Sequence, residues 1–552
     1  MIYKKLIKPI LILILSLVTI FLLYLIGKNI YQANIDKKLK DDTWIDKNVT
    51  ISTSNISDDV YVVKKNNNIT TYNMLYQKNV TSKINNTLKT NNYSIDNLLM
   101  IYNPYGTNTS SVNVYFSDND ITLTSYKIEV SGYSTYENEL VEGNNSYELI
   151  GFVMGEKNNL TLTFTDKKGN KTTKKYTLDF TSYKIDTDNK VKIVKDNSKE
   201  LENGLFAILG DSSDDDYIWL VDNDGVVRSE IPIIGYRAVN LLFKDNEMYF
   251  SISERKIAKM NNLGQITKIY NLGKYKLHHD YTFDDDKNNL LVLASDTTKD
   301  SCEDAVIKLN LKSGKVDDVF YLEEVLQDIR DSAYYNKDEV AKEVESVGVD
   351  WMHINTINYL SGDTVILSSR ETSSIIKVSD IFDNPKIEYI LGDESFFDNY
   401  DAKKYLYTKV GDFTIAGGQH TVSYIPTSKD GVYYLTMFNN NIGISTTVPK
   451  FNWASIGLKY SSPKDNGKSY YYKYKVDENA NTFELVDKYE VPFSAYMSSV
   501  QNYNDSTIVN SAQACTFSER DSAGSIKRSY KVNCKSSIYR VFKYSFSNYY
   551  FK

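Results

Sequence analysis

From about residue 190 to the C-terminus the chain repeats one loose unit: a hydrophobic strand, a small polar gap, a second strand, then a turn. Tyr217-Ile-Trp-Leu-Val-Asp222 runs into Asn223-Asp-Gly225, and Glu247-Met-Tyr-Phe-Ser-Ile252 runs into Lys256-Ile-Ala-Lys-Met260. Leu290 to Ala294 leads to Ala305 to Asn310, Thr364 to Ser368 to Ser374 to Val378, and Val432 to Thr436 to Ser469 to Tyr474. The last unit reads as Ser506 to Asn510 followed by Ser537 to Val541. Six units over roughly 360 residues, about 60 each, suit a six-bladed β-propeller with four-stranded blades and long loops. Leu322 to Glu345 breaks the pattern: it is rich in Glu, Asp, Lys and Ala at helical spacing and reads as a helical insertion over one face of the ring.

The fold class that follows is all-β. Residues 59–182 carry short alternating runs such as Val112 to Phe116, Thr124 to Val130 and Leu160 to Thr165, punctuated by Asn, Gly and Asp. Period-two alternation with such turns predicts antiparallel strands and a small Ig-like β-sandwich. The expected organisation is an anchor and stalk over 1–45, the sandwich over 46–185 and the propeller over 186–552.

Ile10 to Ile26 is apolar except for Ser16, Thr19 and Tyr24, a run of 17 residues, at the short end of what spans a bilayer. Lys4, Lys5 and Lys8 precede it, and no Ala-x-Ala-like cleavage site follows. The expectation is an uncleaved single-pass transmembrane helix in the cell membrane, with the rest of the chain extracellular. A net charge of −7 without basic clusters after residue 45 argues against nucleic acid as a partner. Three cysteines make no disulfide scaffold. Cys515 and Cys534 flank the polar stretch Ser518 to Lys527, read as a loop, and can pair outside the cell while Cys302 stays free. The oligomeric state is left open, a homodimer included.

All four histidines lie in three short clusters about 70 residues apart: Leu277-His-His-Asp280, Asp350-Trp-Met-His-Ile-Asn355 and Gly417-Gly-Gln-His-Thr421. That spacing suits sheets that all aim loops at one centre, so the clusters read as one active site. His353 and Asn355 point the same way on an extended segment. Arg370 ends the following strand, where a hairpin brings it back toward them. Two donors and a planar cationic fork suit a tetrahedral oxyanion. Metal binding by the histidines is the rival; Arg370 beside a cation speaks against it, so no metal is expected.

These motifs resemble the bacterial aryl-sulfate sulfotransferases, which use no nucleotide sulfate donor. The resemblance runs from about residue 59 to the end. It is carried by Asn103-Pro-Tyr-Gly106, Tyr147 to Gly151 and Asn159 to Asp166 in the first part. In the ring it is carried by Asp350 to Asn355 with Ser368-Ser-Arg370, and by Gly418-Gln-His420 and His278-His-Asp280. It implies a six-bladed propeller with its site in the central channel. His420 would be the nucleophile that becomes transiently sulfated, and His279 or His278, His353, Asn355 and Arg370 would hold the sulfuryl oxygens. Alternation favours His279 of the pair; Ser498 and Ser499 are further candidates for a polar contact. The implied substrates are a small phenolic sulfate donor and a phenol acceptor, with no cofactor. The disulfide that the family can carry near its site has no cysteine beside His420 here. A neutral imidazole is a good nucleophile, and sulfuryl transfer needs mostly positioning and electrostatics.

Overall fold

A computed structural model describes residues 2–143, 145–183, 190–210, 217–335, 348–443, 445, 448, 450–459 and 466–552. The chain is mostly β. Helix α1, Ile2–Lys38, is long and apolar enough over Ser16–Lys38 to be a membrane span or a signal sequence, and that segment is wholly unburied. Helix α2, Asp42–Lys47, follows; the Asp41 carboxylate caps it by accepting from the Thr43 and Trp44 amides. Ile45 is fully buried and Asp46 pairs with Lys83, so α2 belongs to the folded body and the expected stalk ends before it.

The first body is not the antiparallel sandwich expected. Two sheets are present. One orders Val49–Thr53, Val60–Lys65, Leu99–Tyr102, Ser111–Tyr115 and Ser146–Ile150; the other orders Tyr136–Glu139, Ile121–Glu129, Lys157–Asp166 and Lys171–Asp179. Val60–Lys65 and Leu99–Tyr102 run parallel, and a parallel pair needs a crossover. Helix α3, Met74–Thr90, supplies it. Tyr76, Val80 and Ile84 pack its inner face on Leu99, Ile101 and Tyr115, while the opposite face of that sheet, with Met100 and Val112, packs on Leu160, Leu162 and Phe164. The layers are therefore helix, sheet, sheet.

Six further sheets follow. Their first strands are β1 Leu241–Lys244, β2 Tyr275–Phe283, β3 Ile354–Tyr359, β4 His420–Pro426, β5 Ser499–Tyr503 and β6 Val541–Tyr544. Each of β1 to β5 is followed in sequence by three antiparallel neighbours. The exception is β6, the last strand of the chain, which pairs with Leu205–Ile208 and so completes the first sheet. Val191–Asp196 in turn joins the outer edge of the last sheet, against Ile526–Val532. Both ends of this region thus stitch the first sheet to the last. The pairing read from sequence for the sixth unit is corrected: Ser506–Ser511 pairs with Thr516–Arg520, and the stretch expected as a loop is a hairpin with its turn at 521–525.

Side-chain bonds at or beside these strands link each of the six sheets to the next and the last back to the residue before β1. Asn240 donates to the Tyr281 carbonyl, Asp280 accepts from the Ile357 amide, and Asn358 donates to the Val422 carbonyl. Asn502 donates to Thr436, Gln501 to the Lys543 carbonyl, and Tyr544 to Asn240. Cys515 and Cys534 form a disulfide, and Cys302 is free and buried. Of the expected helical insertion, Gln327–Tyr335 is helical; residues 336–345 lie outside the described residues.

Candidate active site

Each histidine-bearing first strand is bulged where its cluster lies. Register slips between Leu277 and Tyr281 in β2, between Ile354 and Thr356 in β3, and between His420 and Ser423 in β4. His279, His353 and Thr421 adopt φ of 50°, 48° and 53°. Left-handed backbone costs a non-glycine residue about 1 kcal/mol or more, and a bulge re-aims side chains off the sheet. Here the bulges turn the imidazoles of three sheets toward one another. The ring of His279 lies 4.7 Å from that of His353 and 6.3 Å from that of His420. All four histidines are buried.

His420 Nδ1 lies 2.9 Å from Asn440 Oδ1 and 3.0 Å from the Gly418 carbonyl, both acceptors, so Nδ1 carries the hydrogen and Nε2 keeps its lone pair. The Asn440 amide is held the right way round by donating to the Ser494 and Met497 carbonyls. Burial pushes the His420 pKa down to about 3, against the pull of Asn440, so the ring is neutral at ordinary pH.

His353 has the opposite environment. Its Nδ1 lies 2.6 Å from Asp350 Oδ2 and 2.7 Å from Glu303 Oε2. Burial alone would lower its pKa, but the two carboxylates outweigh it and lift the value to about 9. Arg370 Nη1 sits 3.1 Å from His353 Nε2, a contact that requires a lone pair there. As a hydrogen bond that contact takes the neutral ring, whereas the two carboxylates favour the imidazolium even against the opposing charge of Arg370. Arg370 also donates to Asp350 at 3.1 Å and to Glu371. Glu371 is buried and accepts from Ser445 too. Burial lowers the His278 pKa to about 4 and the His279 pKa well below its usual value.

The expected site residues do not all meet. His279, His353, His420 and Arg370 converge. His278 turns back, with its Nδ1 3.1 Å from His279 Nδ1. Asn355 is fully buried and spends its amide on the Gln419 carbonyl at 2.8 Å, which fixes the strand that bears His420. Of the two serines, the Ser498 hydroxyl accepts from the Ala512 amide, and the Ser499 hydroxyl bridges the amide and carbonyl of Val541. Sequence reasoning missed Glu303, Glu371 and Asn440. The first two flank residues already singled out only in space or by adjacency. Asn440, in an Asn-rich turn, carried no signal.

A profile of the arylsulfotransferase (ASST) family matches residues 190–550. The chain belongs to that family. The match spans all six sheets and every histidine, and membership supports arylsulfotransferase activity in general. No curated protein matches the chain significantly. Among solved structures, a Bacteroides caccae protein of unknown function is 11% identical over 62% of this chain and 99% of its own, with a TM-score of 0.34. The WD40 domain of Toxoplasma gondii coronin is 9% identical over 62% and 75%, with a TM-score of 0.29. Likenesses this slight bear on neither fold nor chemistry.

His279, His353 and His420 each offer a ring nitrogen within 4.8 Å of the others, as do His278, His279 and Glu303, spacings able to hold a divalent ion. Against the first set, Arg370 lays a permanent cation on His353.

Proposed function

We propose that this arylsulfotransferase moves a sulfuryl group from a phenolic sulfate ester to an acceptor phenol in two steps through His420, with no nucleotide and no metal. The observation that carries the reading is the fixed tautomer of His420: Nδ1 is tied to Asn440 and Gly418, and Nε2 faces the other imidazoles with a lone pair. In the first step Nε2 attacks sulfur, the S–N bond forms, and the bond from sulfur to the aryl oxygen breaks with its electron pair going to the phenolate. The ring gains positive charge, which strengthens the Nδ1–H bond to Asn440 Oδ1. Cationic His353 gives the phenolate a proton, and Arg370 and His279 hold the sulfuryl oxygens. In the second step the acceptor oxygen bonds to sulfur, the S–N bond breaks, and the acceptor's proton returns to His353.

In this reading the six sheets are the blades of a propeller over 186–552, the sheets and helices from α2 to residue 185 are an accessory domain, and the segment before α2 anchors it, single-pass, with the site extracellular. The test is incubation of the full chain with 4-nitrophenyl sulfate and a phenol, with and without exhaustive chelation. Sulfated acceptor in both arms supports the reading. Loss with chelator, restored by one metal, replaces it with a metal enzyme that uses the histidine set.

A further inference from the structure

The chain has eight arginines, and seven donate to a carboxylate or a carbonyl. Arg228 meets Asp222 and two carbonyls, Arg255 the Gly273 carbonyl, Arg330 Glu323, Arg370 Asp350, Arg520 the Gly524 carbonyl, Arg528 Asp196, and Arg540 two carbonyls and Asp280. Arg237, among the described residues, meets neither. Its Nη1 reaches only the Met497 sulfur at 3.7 Å, its Nη2 only the Tyr236 hydroxyl at 3.5 Å, and its Nε is buried with no acceptor. Those lengths are past a good hydrogen bond. Arg237 is half-buried and its Nε is shut off from water without an acceptor, so its position needs a reason.

That position is at the candidate site. The guanidinium stacks 4.0 Å from the Tyr539 ring centre, and that ring lies 6.1 Å from the His279 ring. The Tyr539 hydroxyl donates to the His279 carbonyl. The two stacking distances put the charge within about 10 Å of the imidazole, a gap that a para-substituted benzene ring can bridge. On its other side Arg237 touches Met497, whose carbonyl orients Asn440 and through it His420. The backbone makes room for it: at Gly210, φ +99°, an added Cβ would lie 2.7 Å from Arg237 Cβ. Glu303, Asp350 and Glu371 all pair directly with Arg370 or His353, while Arg237 feels Glu303 only through space and touches no carboxylate.

Resting on the sulfotransferase reading, we propose that Arg237 binds a carboxylate carried on the aryl substrate at the end away from the reacting oxygen, and so selects carboxylated phenols. The planar fork suits a carboxylate, and the Tyr539 and Tyr236 rings around it suit the aryl body. The probes are 4-hydroxyphenylacetate and 4-methylphenol, which differ in that one group, competing for sulfate from 4-nitrophenyl sulfate. Wild-type protein should favour the carboxylated phenol in kcat/KM by about 10-fold or more. Arg237→Met should bring the ratio to about 1, and Arg237→Lys should keep part of it. A wild-type ratio near 1, or an Arg237→Met variant that loses both acceptors equally, overturns the proposal while leaving the sulfotransferase reading standing. No transfer to either phenol would instead remove that reading, and this one with it. The wild-type ratio decides even if Arg237→Met does not fold.

Discussion

Replacing Asn440 with alanine isolates the group that sets the His420 tautomer. The variant removes the 2.9 Å acceptor at Nδ1 but leaves the Gly418 carbonyl at 3.0 Å, so the tautomer survives with one acceptor instead of two. In the ground state the lost bond joins neutral groups and is worth about 1 kcal/mol. As sulfur bonds to Nε2 the ring becomes cationic, and the same bond is worth about 1.5–3 kcal/mol. The excess, about 0.5–2 kcal/mol, appears as a slower first step by roughly 2- to 30-fold, and kcat/KM for the donor falls by the same factor because the bond is also present in the free enzyme. The Ser494 and Met497 carbonyls lose a donor, so stability also falls, by about 1–3 kcal/mol. Stopped-flow release of 4-nitrophenolate without acceptor reads the first step alone, and thermal unfolding gives the stability cost separately. Asn440→Asp supplies the opposite sign: a carboxylate there favours imidazolium and raises the His420 pKa from about 3, moving the acid limb of the profile upward. Unchanged nitrophenolate release in a folded Asn440→Ala protein would refute the assignment of Nε2 as the attacking atom.

Other outcomes follow from the same geometry. Arg370→Lys should lower kcat/KM by ~10-fold or more, because lysine cannot span Glu371, Asp350 and His353 Nε2 at once; wild-type kinetics would place Arg370 outside the site. The rate should be flat from about pH 5 to 8, because His420 is neutral above about 3 and His353 is cationic below about 9. Activity should fall as pH rises through about 9, and a limb near the ordinary histidine value of about 6.5 would contradict the two environments. A chain starting just before Leu39 should be soluble and folded, whereas one starting at Asp46 should lose stability, since it discards Asp41, which caps α2, and the fully buried Ile45; equal unfolding temperatures would show that α2 adds nothing.

The middle strands of the sheets were legible because buried hydrophobic runs are punctuated by turn residues: Tyr217–Val221, Glu247–Ser253 and Lys256–Asn261 lie where the repeat put them. The closure of the ring was not. The Ser537 to Val541 stretch is hydrophobic enough to suit any neighbour, and only the three-dimensional order pairs β6 with Leu205–Ile208. Helix α3 escaped notice because Thr and Asn dilute it, although Tyr76, Val80 and Ile84 recur every four residues and could have revealed it. The histidines stood out by their rarity. Their supports did not: Glu303 lies in a loop 50 residues from His353, and Asn440 is one of three consecutive asparagines. Such partners are chosen by the bulged geometry of the first strands, which leaves no periodic trace.

The most direct test of the account is the covalent state of His420. Full-length protein mixed with 4-nitrophenyl sulfate alone, quenched under conditions that spare a sulfur–nitrogen bond and digested, should yield one peptide heavier by a sulfo group. Fragmentation should place that group on His420, and addition of a phenol before quenching should remove it. His420→Ala should show neither adduct nor transfer while keeping its unfolding temperature. An adduct on His279 or His353, or normal turnover by the alanine variant, would contradict the account.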